Sequence, residues 1–199
     1  CRSGRKGGGC AVPSKAKDIV VSAVSLMVIA GVTTAALAGT NALTASTIAA
    51  RNEEAETAAR QQVIDADTFE KQSMMYGEEQ TTYMLTYYTA LKDGETVGYV
   101  FTATTTGKSA GLSVMTGISA DGSVTGVAVT DDNETAGYVD KVREGGLLDA
   151  FSGRTAETFE LGGNIDGVSQ ATKTSRGITD GVNQAVAWYQ MIKEAESRG

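Results

Sequence analysis

An uncharged stretch from Ile19 to Ala50 limits what this chain can fold into more than any other feature of its sequence. Its most apolar part, Ile19 to Ala38, matches the roughly 20 apolar residues that an α-helix needs to cross the hydrocarbon core of a bilayer. A buried core helix or a cleaved signal peptide could have a similar composition, but the stretch is longer than a typical signal core. We therefore predict a retained transmembrane helix over residues 19–42.

The charges are distributed unevenly on the two sides of this helix. Five of the 17 basic residues and one of the 24 acidic residues lie within positions 1–50, which leaves 12 basic and 23 acidic residues for the rest of the chain. Because basic residues flank spans on the cytoplasmic side, the tail, residues 1–18, is predicted to be cytoplasmic and the main domain extracytoplasmic, at a bacterial cell membrane. An acidic domain repels phosphate backbones, so nucleic acid is not expected as a partner.

Two residue types that carry much of enzyme chemistry are scarce. The sequence contains no histidine, and its two cysteines, Cys1 and Cys10, both lie in the N-terminal tail. This composition excludes Ser–His and Cys–His nucleophile pairs and histidine-ligated haem, and two cysteines cannot form a four-cysteine iron–sulfur or zinc site. We expect no metal site, and no complete catalytic site in this chain alone.

The residues after the span are predicted to form a helical stalk and one globular domain. The sequence from Leu43 to Ile64 contains good helix formers and no helix breaker. We assign the stalk to residues 43–70 and the domain to residues 71–199.

The domain is predicted to have an α+β fold, because two hairpins are flanked by helices. The hairpins turn at Asp93-Gly94 and Asp121-Gly122, which are favoured turn pairs. A short amphipathic helix is predicted over residues 139–153, and a C-terminal helix over residues 175–196. The alternating apolar residues of the hairpins are Tyr83, Leu85, Tyr87, Leu91, Val97, Tyr99, Phe101 and Ala103 in the first, and Leu112, Val114, Ile118, Val127 and Val129 in the second.

A polar segment just before the C-terminal helix, residues 166–175, holds the densest group of candidate functional side chains. Thr172, Thr174 and Ser175 are each plausible N-cap hydroxyls. A helix N-terminus also suits a phosphate, because its N–H groups are free and its dipole is positive there. Four Ser/Thr hydroxyls in seven residues exceed what one cap needs, which indicates a further role.

This segment resembles the pattern Asp-x-x-Ser-Gly-Ala-Thr-x-Thr-Ser of the family of FMN-binding domains found in the RnfG and NqrC subunits of membrane redox complexes. Gln170 stands where the family has Gly. Residues 132–137 are similar to the family's His-x-Glu-Thr-Pro-Gly, with Asp for His and Ala for Pro, and residues 107–111 are loosely similar to its Gly-Tyr-Gly-Gly. The resemblance extends over residues 15–194. The matching residues of the main motif are Asp166, Ser169, Ala171, Thr172, Thr174 and Ser175.

The resemblance implies a cofactor and a set of residues that hold it. FMN would be esterified through its phosphate to Thr172 by a flavin transferase, which would recognise Asp166. Tyr138 is expected to pack in the domain rather than to contact the flavin. The other residues implied to bind FMN are Ser169, Ala171, Thr174, Ser175, Glu134, Thr135 and Gly137.

The function implied is electron transfer within a membrane complex that moves electrons between ferredoxin and NAD and couples this to Na⁺ or H⁺ transport. Its partners would be the other membrane subunits. The short distance between span and first hairpin favours an RnfG-like subunit over an NqrC-like subunit of a sodium-pumping NADH:quinone oxidoreductase. Two further alternatives are a stand-alone anchored flavoprotein for extracellular electron transfer and an anchored binding module without flavin.

Overall fold

The computed structural model describes residues 14–78, 81–132, 134 and 136–198. One long helix, α1 (Ser14–Val63), precedes five strands and three further helices. The strands are β1 (Thr68–Glu78), β2 (Thr81–Lys92), β3 (Glu95–Thr106), β4 (Ala110–Ser119) and β5 (Val124–Asp132). The later helices are α2 (Tyr138–Glu144), α3 (Leu147–Ala150) and α4 (Thr172–Arg198).

The five strands form one antiparallel sheet in the order β1-β2-β3-β4-β5, so each strand pairs with its neighbour in sequence. The predicted turns are present, with positive φ at Asp93, Gly94 and Gly122. An antiparallel sheet with helices outside it confirms the predicted α+β class.

The chain separates within α1 into two compact units, residues up to Asn52 and residues from Glu53 onward. In the first unit, Ile19–Asn41 is long and apolar enough to cross a membrane. The Thr34 hydroxyl donates to the Ala30 carbonyl at 2.7 Å, so this polar side chain is satisfied inside the helix. A helix of spanning length is therefore present where the sequence predicts one. The boundaries of tail, span, stalk and domain stay predictions, and Cys1 and Cys10 lie outside the described residues.

In the second unit, helices cover part of each face of the sheet, while Met75, Tyr83 and Met84 on β1 and β2 stay exposed. Helices α2, α3 and α4 pack on one face over Phe101, Leu112 and Val114, which are fully buried. The predicted apolar stripe of α4 is confirmed, since its members are all buried there: Ile178, Val182, Ala185, Val186, Tyr189 and Ile192. The last residues of α1 pack on the opposite face, where Val63 and Ile64 lie among Ala90, Val100, Met115 and Ala128.

Two features of the sheet differ from the sequence prediction. Strand β1 was not predicted, because it lies at the sheet edge and carries few buried side chains. It begins at Thr68, within the segment assigned to the stalk, which as a helix ends at Val63. Val97 packs with the α1 side of the sheet and not with Tyr99, because it is the extra residue of a bulge against β2.

The predicted helix over residues 139–153 is two short helices. Gly145 ends α2, and Gly146, at φ 73°, turns the chain into α3. Glycine adopts this left-handed conformation at little cost, so the pair breaks an otherwise helical apolar pattern. Both helices still bury apolar side chains, including Val142 and Leu147.

Candidate functional site

The C-terminal helix begins earlier than predicted, at Thr172. The Ser175 N–H donates to the Ala171 carbonyl at 2.8 Å, so Ala171 is the capping position. Alanine has no side-chain oxygen, and the prediction of a hydroxyl N-cap at Thr172, Thr174 or Ser175 is therefore wrong. The hydroxyls in this segment need another explanation.

Their exposure separates these hydroxyls into two groups. Thr174 and Ser175 are fully buried and bonded within the protein. The Ser175 hydroxyl accepts the Val168 N–H at 3.2 Å, and the Thr174 hydroxyl donates to the Glu134 carboxylate at 3.5 Å. Ser169 and Thr172 are exposed. Of the motif's hydroxyls, only these two are therefore accessible to a modifying enzyme, and Thr172 is the one that starts the helix.

Two exposed cations lie at the start of α4, beside the Glu134 carboxylate that accepts the Thr174 hydroxyl. The helix is 27 residues long and has no acidic residue in its first turn, while Lys173 and Arg176 are exposed near its beginning. Cations at a helix N-terminus add to the positive end of the dipole and are unfavourable unless an anion is present. This arrangement suits a phosphate on Thr172.

Glu134 connects the loop after β5 to the turn between β3 and β4. Its Oε1 accepts the backbone N–H groups of Lys108 at 2.8 Å and of Ser109 at 3.4 Å, and its Oε2 accepts the Thr174 hydroxyl. The sequence-based interpretation gave Glu134 a role toward the flavin. The structure shows a half-buried carboxylate that accepts three hydrogen bonds from the protein itself. From its own segment, residues 132–137, it binds both other predicted site segments, so all three meet at this carboxylate.

Two glycines allow the β3–β4 turn to approach α4. A Cβ on Gly177 would lie 2.8 Å from the Thr106 carbonyl oxygen and 2.9 Å from the Gly107 Cα. A Cβ on Gly107 would lie 3.2 Å from the Thr174 Cα and would overlap the Glu134 carboxylate. Any side chain at either position would push the turn away from the helix. The loose match over residues 107–111 thus marks a real structural contact with the motif.

Lys108 and Tyr138 form a pair beside Glu134. The Lys108 Nζ donates to the Tyr138 hydroxyl at 2.8 Å and lies 4.0 Å from the ring centre, in cation–π contact. This hydrogen bond, together with the charge of Lys108, lowers the pKa of the Tyr138 phenol. Sequence reasoning did not select Lys108, although it lies inside a segment that the resemblance had marked.

The remaining predicted site residues lie on loops. Asp166 is exposed on the loop that leads into α4. Gly137 has φ 82° and precedes α2. Gln170, which stands in place of the family's Gly, has φ 65°, a left-handed conformation that glycine adopts more readily. Gln170 therefore adopts the left-handed backbone conformation that the family's glycine would allow, at the cost of backbone strain. Thr135 lies outside the described residues.

The chain matches two family models, an FMN-binding domain over residues 107–187 and an RnfG N-terminal region over residues 14–63. It is 36% identical over 188 residues to the G subunit of the Na⁺-translocating ferredoxin:NAD⁺ oxidoreductase complex of Acetobacterium woodii, covering 85% of this chain and 90% of that protein. It is 28% identical over 180 residues to the G subunit of the ion-translocating oxidoreductase complex of Methanosarcina acetivorans, covering 87% and 95%. The corresponding protein of Escherichia coli O157:H7 is 27% identical over 203 residues, covering 92% and 96%.

Proposed function

Because the chain belongs to the RnfG family, the G subunits of ion-translocating oxidoreductase complexes, we propose that it carries FMN as a phosphoester on Thr172. The protein is an electron-transfer subunit of a membrane-anchored ferredoxin:NAD⁺ oxidoreductase complex, in which electron transfer is coupled to ion translocation. Its partners are the other subunits of that complex. The family model for the RnfG N-terminal region favours this assignment over an NqrC-like subunit.

The observation that carries the covalent attachment is the position of the Thr172 hydroxyl. It is exposed at the first residue of α4, while the neighbouring hydroxyls of Thr174 and Ser175 are buried and bonded. A phosphate esterified there would be close to the free N–H groups of the first turn. Lys173 and Arg176 would add positive charge from the same turns.

The attachment step follows from the chemistry of the hydroxyl. The Thr172 oxygen would attack the flavin-side phosphorus of FAD, the pyrophosphate bond would break, AMP would leave and the hydroxyl proton would pass to solvent. The transferase would supply the metal ion for this transfer and would recognise Asp166, which is exposed and accessible on the loop before α4. An ester bond keeps the cofactor from diffusing away from the domain.

Once attached, FMN supplies reversible electron transfer, and the protein only has to hold and orient it. Glu134 accepts hydrogen bonds from the β3–β4 turn and from Thr174, so it holds this turn against the start of α4, where the proposed attachment point lies. The sequence carries no Rossmann fingerprint, so direct binding of NADH is not expected. We propose that the subunit is a relay between other redox centres of the complex.

Replacing Thr172 by alanine is expected to abolish flavin attachment, because the exposed hydroxyl is the nucleophile. The test is the intact mass of the full-length chain, produced with a flavin transferase, together with in-gel fluorescence after denaturation. The wild-type protein should gain the mass of one FMN less one water. Thr172→Ala should show neither this gain in mass nor the fluorescence.

Ser169→Ala is the matched control, since it removes the other exposed hydroxyl of the motif three residues away. It should keep the added mass. If the fluorescence survived in Thr172→Ala but disappeared in Ser169→Ala, the attachment site would be Ser169, and the assignment to Thr172 would be refuted.

We also propose that residues 51–199 lie outside the cytoplasm, because five basic residues precede the apolar helix and only one acidic residue does. Protease added to intact spheroplasts is then expected to degrade the domain. Digestion that occurs only after lysis would reverse the orientation. A cytoplasmic marker protein that stays intact controls for leakage.

A further inference from the structure

Lys108 is held at two points in the site. Its backbone N–H donates to Glu134 at 2.8 Å, and its ammonium donates to Tyr138 at 2.8 Å while lying 4.0 Å from the ring centre. A surface lysine ordinarily moves freely, because four rotatable bonds separate its charge from the backbone. Here both ends are bonded, so the charge has a defined position on the exposed side of the site.

We infer that Lys108, fixed against Tyr138, places a positive charge beside the flavin ring and raises the flavin's reduction potential. This inference rests on the proposed attachment at Thr172. Glu134 is the connection: it binds the Lys108 N–H on one side and, on the other, the hydroxyl of Thr174, two residues beyond the attachment point. An FMN esterified to Thr172 would start from the same end of α4 to which Glu134 holds the Lys108 turn.

The charge balance of flavin reduction gives Lys108 its effect. Two electrons and one proton convert the neutral oxidised ring into a reduced ring with one negative charge. The chain as a whole has a formal net charge of −7, and such a surrounding disfavours added negative charge. A fixed ammonium nearby stabilises the reduced form, and the interaction is strongest where water is partly excluded.

Tyr138 contributes by holding the ammonium. Its half-buried ring packs at the edge of the apolar core, while its hydroxyl accepts the hydrogen bond from Lys108. Lys141 also faces this ring, but its Nζ is 5.3 Å from the ring centre. We therefore expect Lys141 to act in the same direction with a smaller effect.

The test is a spectroscopic redox titration of the flavin in the purified, flavinylated full-length chain. Lys108→Gln is expected to shift the equilibrium at least tenfold toward the oxidised flavin. For a two-electron couple, this lowers the midpoint potential by about 30 mV. The glutamine backbone keeps the N–H that Glu134 accepts, so the turn itself is preserved.

Three further variants separate a local charge from other effects. Lys108→Arg keeps the charge, so its midpoint potential should stay close to that of the wild-type protein. Lys141→Gln should lower the midpoint potential by less than Lys108→Gln does. Lys71→Gln removes an exposed charge from edge strand β1 and should leave the potential unchanged.

The outcomes distinguish this inference from the proposed attachment. If the wild-type protein carried no covalent flavin, the attachment at Thr172 would be refuted. A fully flavinylated Lys108→Gln protein with an unchanged potential would overturn the role of Lys108 alone. If Lys71→Gln lowered the midpoint potential as much as Lys108→Gln, the role of Lys108 would also be overturned, because the effect would then come from the overall charge of the protein.

Discussion

In the assembled complex, Thr172→Ala is expected to stop electron flow between ferredoxin and NAD⁺ while the subunits still assemble. Thr172 is exposed at the start of α4, so the loss of its methyl and hydroxyl groups leaves the core intact. The loss of the flavin would interrupt the relay, because the proposed electron path runs through this cofactor. The measurement is ferredoxin-dependent NAD⁺ reduction in membranes that contain the complex, with subunit content checked after purification.

Thr172→Ser is the matched control, because it keeps a hydroxyl at the same backbone position. It should restore flavin and electron flow at least in part. Normal flow in Thr172→Ala membranes that lack this flavin would show that electrons bypass the subunit and would refute the relay. Loss of flow together with loss of the other subunits would place the defect in assembly and would equally contradict the prediction.

The elements that could be predicted from the sequence are those with a local signal. Asp93-Gly94 and Asp121-Gly122 define two turns by their own conformational preferences, and Gly94 and Gly122 have the positive φ that such turns need. The apolar stripe of α4 repeats at helical spacing from Ile178 to Ile192. Strand β1 has no such signal, since its edge position leaves most of its side chains exposed.

The site was predictable in the same uneven way. The proposal of Thr172 rests on a contiguous motif. The contacts that build its surroundings join residues distant in sequence, as in the bond from Lys108 to Glu134 or the approach of Gly177 to Gly107. Such contacts depend on how β3, β4 and α4 pack together, and no periodic pattern in the sequence predicts them. Gln170 shows the converse: its backbone keeps a left-handed conformation that its residue type does not indicate.

Arg60 shows how far a charged side chain can differ from its expected solvated position. It lies near the end of α1, in a segment predicted as a charged stalk, yet it is only 2% exposed. Its guanidinium is bonded to Glu56 at 2.5 Å and Glu53 at 3.3 Å and lies 3.8 Å from the centre of the Tyr88 ring. The aliphatic part of the side chain therefore fills space against the sheet, while the acidic partners stay exposed.

Arg60→Ala is expected to lower the free energy of unfolding by about 2–4 kcal/mol, because it leaves a cavity beside Tyr88 and removes the cation–π contact. The measurement is urea unfolding of the detergent-solubilised full-length chain. Trp188 is the single tryptophan and is buried on the opposite face of the sheet, so its fluorescence reports unfolding of the whole domain.

Arg60→Met separates packing from charge. Methionine fills much of the same volume and needs no ionic partner. Glu53 and Glu56 are already 69% and 52% exposed beside the arginine, so its replacement leaves no buried carboxylate without a partner. We therefore expect a loss of about 1 kcal/mol or less. Arg143→Ala is the matched control: Arg143 also pairs with an acid on its own helix, Asp140 at 3.1 Å, but is 58% exposed, so its removal should cost less than about 0.5 kcal/mol. If Arg60→Met proved as destabilising as Arg60→Ala, the ion pairs rather than the buried side-chain volume would hold the end of α1 against the sheet.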